Sequence, residues 1–141
     1  LRSSDGIKAF ERGPNILPRL RHMAVLKKVD CLHLFYSRGE DNPECILLST
    51  MRLKGDWKDW RPSDPVEILR PEREYEGGKL PVRPSRFGAI HEPARELRDP
   101  AIYEENGLLF LLYTGAGETA ICGAELVLKK SGQSKGECNP A

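Results

Sequence analysis

Two similar stretches decide the fold: CLHLFYSRGE at residues 31–40 and LLFLLYTGAGE at residues 108–118. Each is an apolar run that ends in an aromatic and a hydroxyl residue, Tyr36-Ser37 in the first and Tyr113-Thr114 in the second, before Gly and Glu. The first run has a period of two with apolar groups on both faces, which is typical of a strand packed between sheets. The recurrence predicts an internal repeat.

Other strand-like runs flank both stretches, and short turns separate them. The predicted strands are 22–27, 31–37, 45–51 and 66–69 in a first meander, and 101–104, 108–114 and 119–128 in a second that lacks its fourth strand. Asn106-Gly107 is a strong hairpin turn. The sequence therefore predicts an all-β protein of antiparallel four-stranded meanders, forming a partial β-propeller of about half the full length.

The predicted organisation has three parts. Residues 1–20 form an N-terminal segment, residues 21–128 hold the two blade-like meanders, and residues 129–141 form a polar tail expected to fray. A long connection joins the meanders and is rich in proline and glycine, with Pro71, Gly77, Gly78, Pro81 and Pro84 among them. Connections of this length in a compact domain are often functional.

Composition restricts the classes of partner. The chain has 22 basic and 21 acidic residues, which does not favour a nucleic-acid partner. No apolar run is long enough to cross a membrane and no signal-peptide pattern is visible, so a cytoplasmic location is expected. Because the chain begins at Leu1 rather than Met, we expect that an upstream segment has been lost.

The cysteines and histidines do not predict a cofactor or metal site. Cys31, Cys45, Cys122 and Cys138 form no C-x-x-C pair, and adding the histidines gives no zinc spacing. The first three lie inside or beside apolar runs. They are interpreted as small buried hydrophobic residues in preference to disulfide partners.

One motif gives a family resemblance. The run Arg98-Asp99-Pro100, followed by Gly107, Tyr113 and Gly117-Glu118, resembles the five-bladed β-propeller glycosidases of the arabinanase, invertase and levansucrase type. In that group an Arg-Asp-Pro motif opens the inner strand of a blade. The similarity extends to Arg21-His22 in an earlier inner strand and to Tyr75-Glu76-Gly77 in the long connection, and it covers roughly residues 20–128.

The resemblance implies a funnel on the propeller axis, lined by carboxylates. Glycosidic bond cleavage needs two carboxyl groups in different protonation states. By position in the motif, Asp99 matches the carboxylate that stabilises the sugar, and Arg98 would orient it or contact substrate. Glu76 corresponds to the general acid of a Glu-Gly motif. No inner-strand aspartate suitable as the nucleophile precedes His22.

Further residues are candidates for binding the sugar. His22 begins a strand and would line the funnel, Arg38 and Asp41 lie at a hairpin tip, and Glu118 follows the Gly of the repeat. Each has a structural alternative, such as a core histidine, a solvated loop or an ion pair. Trp57 and Trp60 could form a sugar platform, but packing across a blade edge is favoured.

Two functions follow from these predictions. The first is a glycosidase-like propeller fragment with a carbohydrate-binding cleft and an oligosaccharide ligand, with catalytic activity left open. The alternative is a non-enzymatic assembly or interaction module that retains the blades without the chemistry. In either case Arg98, Asp99 and His22 should lie close together, because equivalent strand starts of neighbouring blades converge.

An incomplete propeller also predicts self-association. It exposes sheet faces and the edge of the last strand, which proteins seldom leave uncovered. We expect a homodimer of two half-propellers, or capture of the segment from Ile7 to Leu17 as the missing strand.

Overall fold

The computed structural model describes residues 1–127. Seven strands account for most of the regular structure, and two short 3₁₀ turns lie at Trp57–Asp59 and Glu74–Glu76. The strands are β1 Leu20–Lys28, β2 Cys31–Arg38, β3 Ile46–Arg52, β4 Val66–Leu69, β5 Arg98–Glu105, β6 Leu108–Gly115 and β7 Ala120–Leu126. No helix in this part of the chain is long and apolar enough to span a membrane.

The all-β prediction is confirmed. Strands β1 to β4 form one antiparallel sheet in chain order, and β5 to β7 form a second, so each predicted meander is a sheet. The β5–β6 hairpin turns at Asn106 and Gly107, both with positive φ, as the tight turn requires. The predicted end of the last strand at Leu128 and the polar tail at 129–141 lie outside the described residues.

The first two strands of each sheet pair in the same register. Adding 77 to each residue number of the pairs from Ala24↔Phe35 to Lys28↔Cys31 gives the pairs from Ala101↔Leu112 to Glu105↔Leu108. Both first strands also have a register irregularity at the same end, after Leu20 in β1 and after Arg98 in β5. The repeat expected from the two tyrosine-containing runs is therefore present in the pairing of the strands.

The core lies between the two sheets. From the first sheet it includes Phe35, Ile46 and Leu48, and from the second Leu111 and Tyr113, with Leu97 and Cys122 beside them. Most of these side chains come from central strands and alternate with residues that face away, as a sheet with period two requires. Burial of these apolar groups is the main contribution that holds the sheets together.

The other face of the first sheet is also covered. Leu34, Tyr36, Leu47 and Met51 form a second apolar cluster, and partly buried residues of the N-terminal segment and the β3–β4 connection pack on it: Ile16, Leu17 and Trp60. Thus the predicted capture of Ile7 to Leu17 as a strand beside β7 is wrong. Within the described residues β7 pairs only with β6, because Ile16 and Leu17 pack on the first sheet instead.

Trp57 and Trp60 contact the N-terminal segment. The guanidinium of Arg2 lies 5.8 Å from the ring centroid of Trp57 and 5.4 Å from that of Trp60. Gly13 lies so close to Trp57 that a Cβ there would clash with the ring. The favoured interpretation of this pair as packing residues agrees with these contacts.

The cysteine interpretation is correct for two positions and wrong for one. Cys45 and Cys122 are buried free thiols, and burial raises the pKa of each, for Cys45 to about 12. Cys31 is buried but disulfide-bonded. It occupies the first position of β2, next to the β1–β2 turn.

The packing of the two sheets against each other predicts how core substitutions change stability. Leu111→Ala removes a side chain that is 1% exposed between the sheets, so we expect a loss of about 2 to 5 kcal/mol in the free energy of unfolding. Val25→Ala, at a position that is 47% exposed, should cost well under about 1 kcal/mol. Chemical denaturation of both variants tests this, and equal losses would contradict the assigned faces of the strands.

Candidate functional site

The predicted meeting of strand starts is confirmed for His22 and Asp99. The Nδ1 of His22 contacts Asp99 Oδ1, and the hydroxyl of Thr114 donates to Asp99 Oδ2 at 3.1 Å. Asp99 has a positive φ of 50°, a conformation that aspartate and asparagine tolerate better than most residues. The two side chains are counterparts in the repeat and lie at the same end of β1 and β5.

A cleft of about 400 Å³ opens at this point. Its lining comes from the start of β1, the start of β5, the turn after β6 and the long connection: Leu20, Arg21, His22, Phe87, Gly88, Ala89, Asp99 and Glu118. Of the seven residues that the sequence predicted for the site, the cleft therefore contains His22, Asp99 and Glu118. The size lies within the usual range for small-molecule sites.

Arg98 lies beneath the cleft rather than in it. It is 1% exposed, and its Nη1 donates to Glu118 Oε1 at 2.9 Å. Its Nε lies 3.4 Å from Glu44 Oε2, and its Nη2 contacts Glu96. Arg98 thus pairs with Glu118 and is not among the residues that line the cleft, a position that does not support its predicted contact with a substrate.

Arg21 repeats this arrangement from β1. Its Nε lies 3.2 Å from the other oxygen of Glu44, and its Nη2 lies 3.8 Å from Glu118. Arg21 is the counterpart of Arg98 in the repeat. The two guanidinium groups therefore share Glu44 and Glu118, and Arg21 also lines the cleft whereas Arg98 does not.

Both arginines also hold the long connection. Each donates to the carbonyl oxygens of Arg86 and Gly88, with Arg21 Nη2 at 3.0 Å and Arg98 Nη1 at 3.2 Å from Gly88. Between those carbonyls lies Phe87, whose ring packs on Gly39 at a distance that leaves no room for a Cβ there. The ring is 56% exposed and forms an aromatic wall of the cleft.

Glu44 has an unusual environment for a carboxylate. Its side chain is fully buried, and burial raises its pKa, while Ser37, Ser85 and the two arginines oppose the shift. The cluster contains three glutamates, namely 44, 96 and 118, for two arginines. One carboxyl group is therefore in excess over the guanidinium groups, and Glu44 is the most deeply buried.

Glu76 does not line the cleft. Its Oε1 accepts a hydrogen bond of 2.6 Å from the Tyr113 hydroxyl, and its Oε2 accepts from the backbone N–H groups of Glu72 and Arg73 at 3.0 and 2.8 Å. These bonds engage both carboxylate oxygens and anchor the long connection to β6. The general-acid assignment of Glu76 is not supported by this position.

Arg38 and Asp41 also lie outside the cleft lining. Arg38 Nε donates to Asp41 Oδ2 at 3.0 Å, and Arg19 Nη2 lies 3.3 Å from Asp41 Oδ1. The backbone N–H of Ser85 donates to the Asp41 carbonyl. These contacts hold the β2–β3 turn against the N-terminal segment and the connection, which is a structural role.

Sequence reasoning missed Arg21 as a site residue, and also Glu44, Glu96 and Phe87. A signal existed for Arg21, because the repeat aligns it with Arg98. Glu44 and Glu96 each lie two residues before a strand, but nothing in the sequence distinguishes them from surface carboxylates. Across residues 1–127, no three His, Cys, Asp or Glu side chains are arranged to hold a metal ion.

Comparison with known proteins gives one informative match. No family model matches the chain, and no solved structure matches it. An uncharacterized protein of Acanthamoeba polyphaga mimivirus is 42% identical over 108 residues, which is 76% of the present chain and 30% of the viral protein. The chain thus spans less than a third of that relative, and the match is too long to be confined to one sheet.

Glu44 should give stability a distinct pH dependence. Because burial raises the pKa of Glu44 in the folded state, the folded protein binds this proton more tightly than the unfolded chain does. Stability therefore falls as the pH rises from about 4.5 through the raised pKa. Glu44→Gln should remove this slope. The measurement is the free energy of unfolding of both proteins between about pH 5 and 7.5.

Glu67→Gln is the matched control for Glu44→Gln. The hydrogen bond from Arg70 lowers the pKa of Glu67, so the stability from that pair is lost only as the pH falls below about 4.5. The Glu67→Gln profile should therefore run parallel to wild type over the measured range. A Glu44→Gln profile that also runs parallel would contradict the account of the buried cluster.

The anchoring role of Glu76 is tested at its partner. Tyr113→Phe leaves a buried carboxylate short of one donor and should lower the free energy of unfolding by about 1.5 to 3 kcal/mol. Tyr103→Phe, which removes a hydroxyl from a 48% exposed ring, should change it by less than about 0.5 kcal/mol. Similar small effects for both would show that the Glu76 contact does not anchor the connection.

Proposed function

We propose that the chain is part of a glycosidase-like β-propeller and that its cleft binds carbohydrate. The observation that carries the proposal is the meeting of equivalent residues of two repeats, Arg21 with Arg98 and His22 with Asp99, around one cleft. Strand starts that converge in this way are what an axial funnel requires. The family resemblance of the Arg-Asp-Pro motif supports the same conclusion.

The repeat supports a blade-like relation between the sheets. Leu34 and Tyr36 lie on the outer face of the first sheet, and their counterparts Leu111 and Tyr113 pack against the first sheet. The two sheets therefore stack in the same sense. The face of the second sheet that packs on the first is equivalent to the outer face of the first sheet. Successive blades of a propeller stack in this sense, whereas two sheets related by a twofold axis would place equivalent faces together.

The chemistry of the cleft suits sugar hydroxyl groups. Asp99 and Glu118 are partly exposed carboxylates with acceptor capacity, and His22 adds a ring nitrogen beside them. Phe87 offers an exposed aromatic face on which the apolar side of a sugar ring can stack. Polar groups that fix orientation and one aromatic wall are a common composition for a small-ligand site.

The same contacts favour binding over hydrolysis. A glycosidase needs a proton-bearing carboxyl group at the scissile bond. Both carboxylates at the cleft surface already have partners, since Glu118 pairs with the guanidinium of Arg98 and Asp99 contacts the imidazole of His22. The carboxyl group with the raised pKa is Glu44, and its complete burial separates it from any ligand.

Titration calorimetry with a broad panel of oligosaccharides tests this proposal. We expect at least one glycan to bind, and Asp99→Asn and Glu118→Gln to weaken that binding by about tenfold or more, since each removes a charged acceptor. Asparagine is chosen at 99 because it tolerates the positive φ. Glu105→Gln, at the opposite end of β5, is the matched control and should bind like wild type.

Two outcomes would count against the proposal. The absence of heat with every glycan would contradict a carbohydrate site. Binding that is unaffected by both cleft variants would place the ligand elsewhere. A separate assay for released sugar addresses chemistry, and release that depends on Asp99 would show that the cleft hydrolyses as well as binds.

The second candidate is an assembly module that retains the blades without sugar binding. The observation that favours it is the apolar face of the second sheet that is exposed within the described residues, with Ile121 among its most exposed side chains. Under this proposal the cleft cluster serves only to fix the two sheets together. Calorimetry separates the two candidates, because an assembly module gives no heat with glycans.

A further inference from the structure

The second sheet has a continuous apolar surface on the side that points away from the first sheet. We call this the open face, and its apolar residues are Ala101, Tyr103, Leu108, Phe110, Leu112 and Ile121. The rings of Tyr103 and Phe110 stack with centroids 6.5 Å apart. The exposure of the larger side chains reaches 87% at Ile121, and contiguous apolar surfaces of this kind mark interaction sites.

The repeat indicates what kind of structure belongs on the open face. Leu26 and Phe35 of the first sheet correspond to Tyr103 and Leu112 of the open face. In the first sheet this face packs in the core against another sheet. The open face is therefore the equivalent of a surface that is covered by a β-sheet elsewhere in the same molecule.

The residues that cover the outer face of the first sheet restrict how a second copy can dock. Head-to-tail stacking would place the open face on the outer face of the first sheet of the next molecule. That outer face is already occupied by Ile16, Leu17 and Trp60. An arrangement in which the open faces of two copies meet leaves that cover in place.

We propose that the chain forms a homodimer in which two open faces pack against each other around a twofold axis. Such an interface is isologous and closes, so association stops at two copies. This inference rests on the fold and the repeat, and it does not depend on carbohydrate binding.

The composition of the open face suits the centre of an interface. Its six apolar residues lie on three strands, and two of them are stacked aromatics. Aromatic residues are enriched and charged residues depleted at interface centres. Glu105 and Glu125 share the face and lie towards its hairpin end, where they form part of a polar rim.

Sedimentation equilibrium of the purified full chain across about 1 to 100 µM tests the proposal. Wild type should approach twice the 15.9 kDa chain mass. Ile121→Lys places a charge at the most exposed position of the open face, and the dimer dissociation constant should rise about 10- to 100-fold. The exposure of this residue means that the variant should fold, which far-UV circular dichroism and thermal unfolding verify.

Val25→Lys is the matched control. Val25 is a β-branched residue on an edge strand and is 47% exposed, but it lies on the outer face of the first sheet. Its dimer should be as tight as that of wild type. Leu112→Lys, at the centre of the open face, should weaken the dimer at least as much as Ile121→Lys.

Each other result would overturn the proposal. A wild-type monomer at the highest concentration would show that the open face has no partner in a second copy. A dimer that resists both open-face variants, or that Val25→Lys disrupts, would place the interface elsewhere. Species larger than a dimer would indicate head-to-tail stacking with displacement of the N-terminal segment.

Discussion

Two arginines from equivalent positions, Arg21 and Arg98, share the buried carboxylate of Glu44, and this contact determines the geometry around it. The arginines belong to different sheets, and Glu44 lies two residues before β3. Burying such charges is costly unless each has partners. The three groups therefore constrain one another, and the starts of β1 and β5 are held at a fixed separation.

The long connection depends on the same cluster. Both guanidinium groups donate to the carbonyls of Arg86 and Gly88, so the segment that carries Phe87 is fixed above them. At its other end Glu76 joins the connection to Tyr113 of β6. A segment with little regular structure thereby becomes a defined wall of the cleft, because its polar backbone groups have charged partners.

The two faces of the molecule differ although the sheets repeat. On the first sheet, the N-terminal segment covers Leu34 and Tyr36; on the second, Leu112 and its neighbours stay exposed. The repeat accounts for this asymmetry, because stacking in one sense leaves one surface uncovered at each end of the stack. The N-terminal segment covers one end, and within residues 1–127 the apolar residues at the other end are exposed.

The sequence by itself determined the strands, their order and the internal repeat, because alternation with period two and an Asn-Gly turn are local signals. It also placed His22 beside Asp99, since equivalent positions of a repeat converge when the units stack. The tertiary structure alone decided which carboxylates are buried. Glu44 and Glu76 look like ordinary loop residues until the approach of Arg21, Arg98 and Tyr113 removes them from water, and such approaches join residues far apart in the chain.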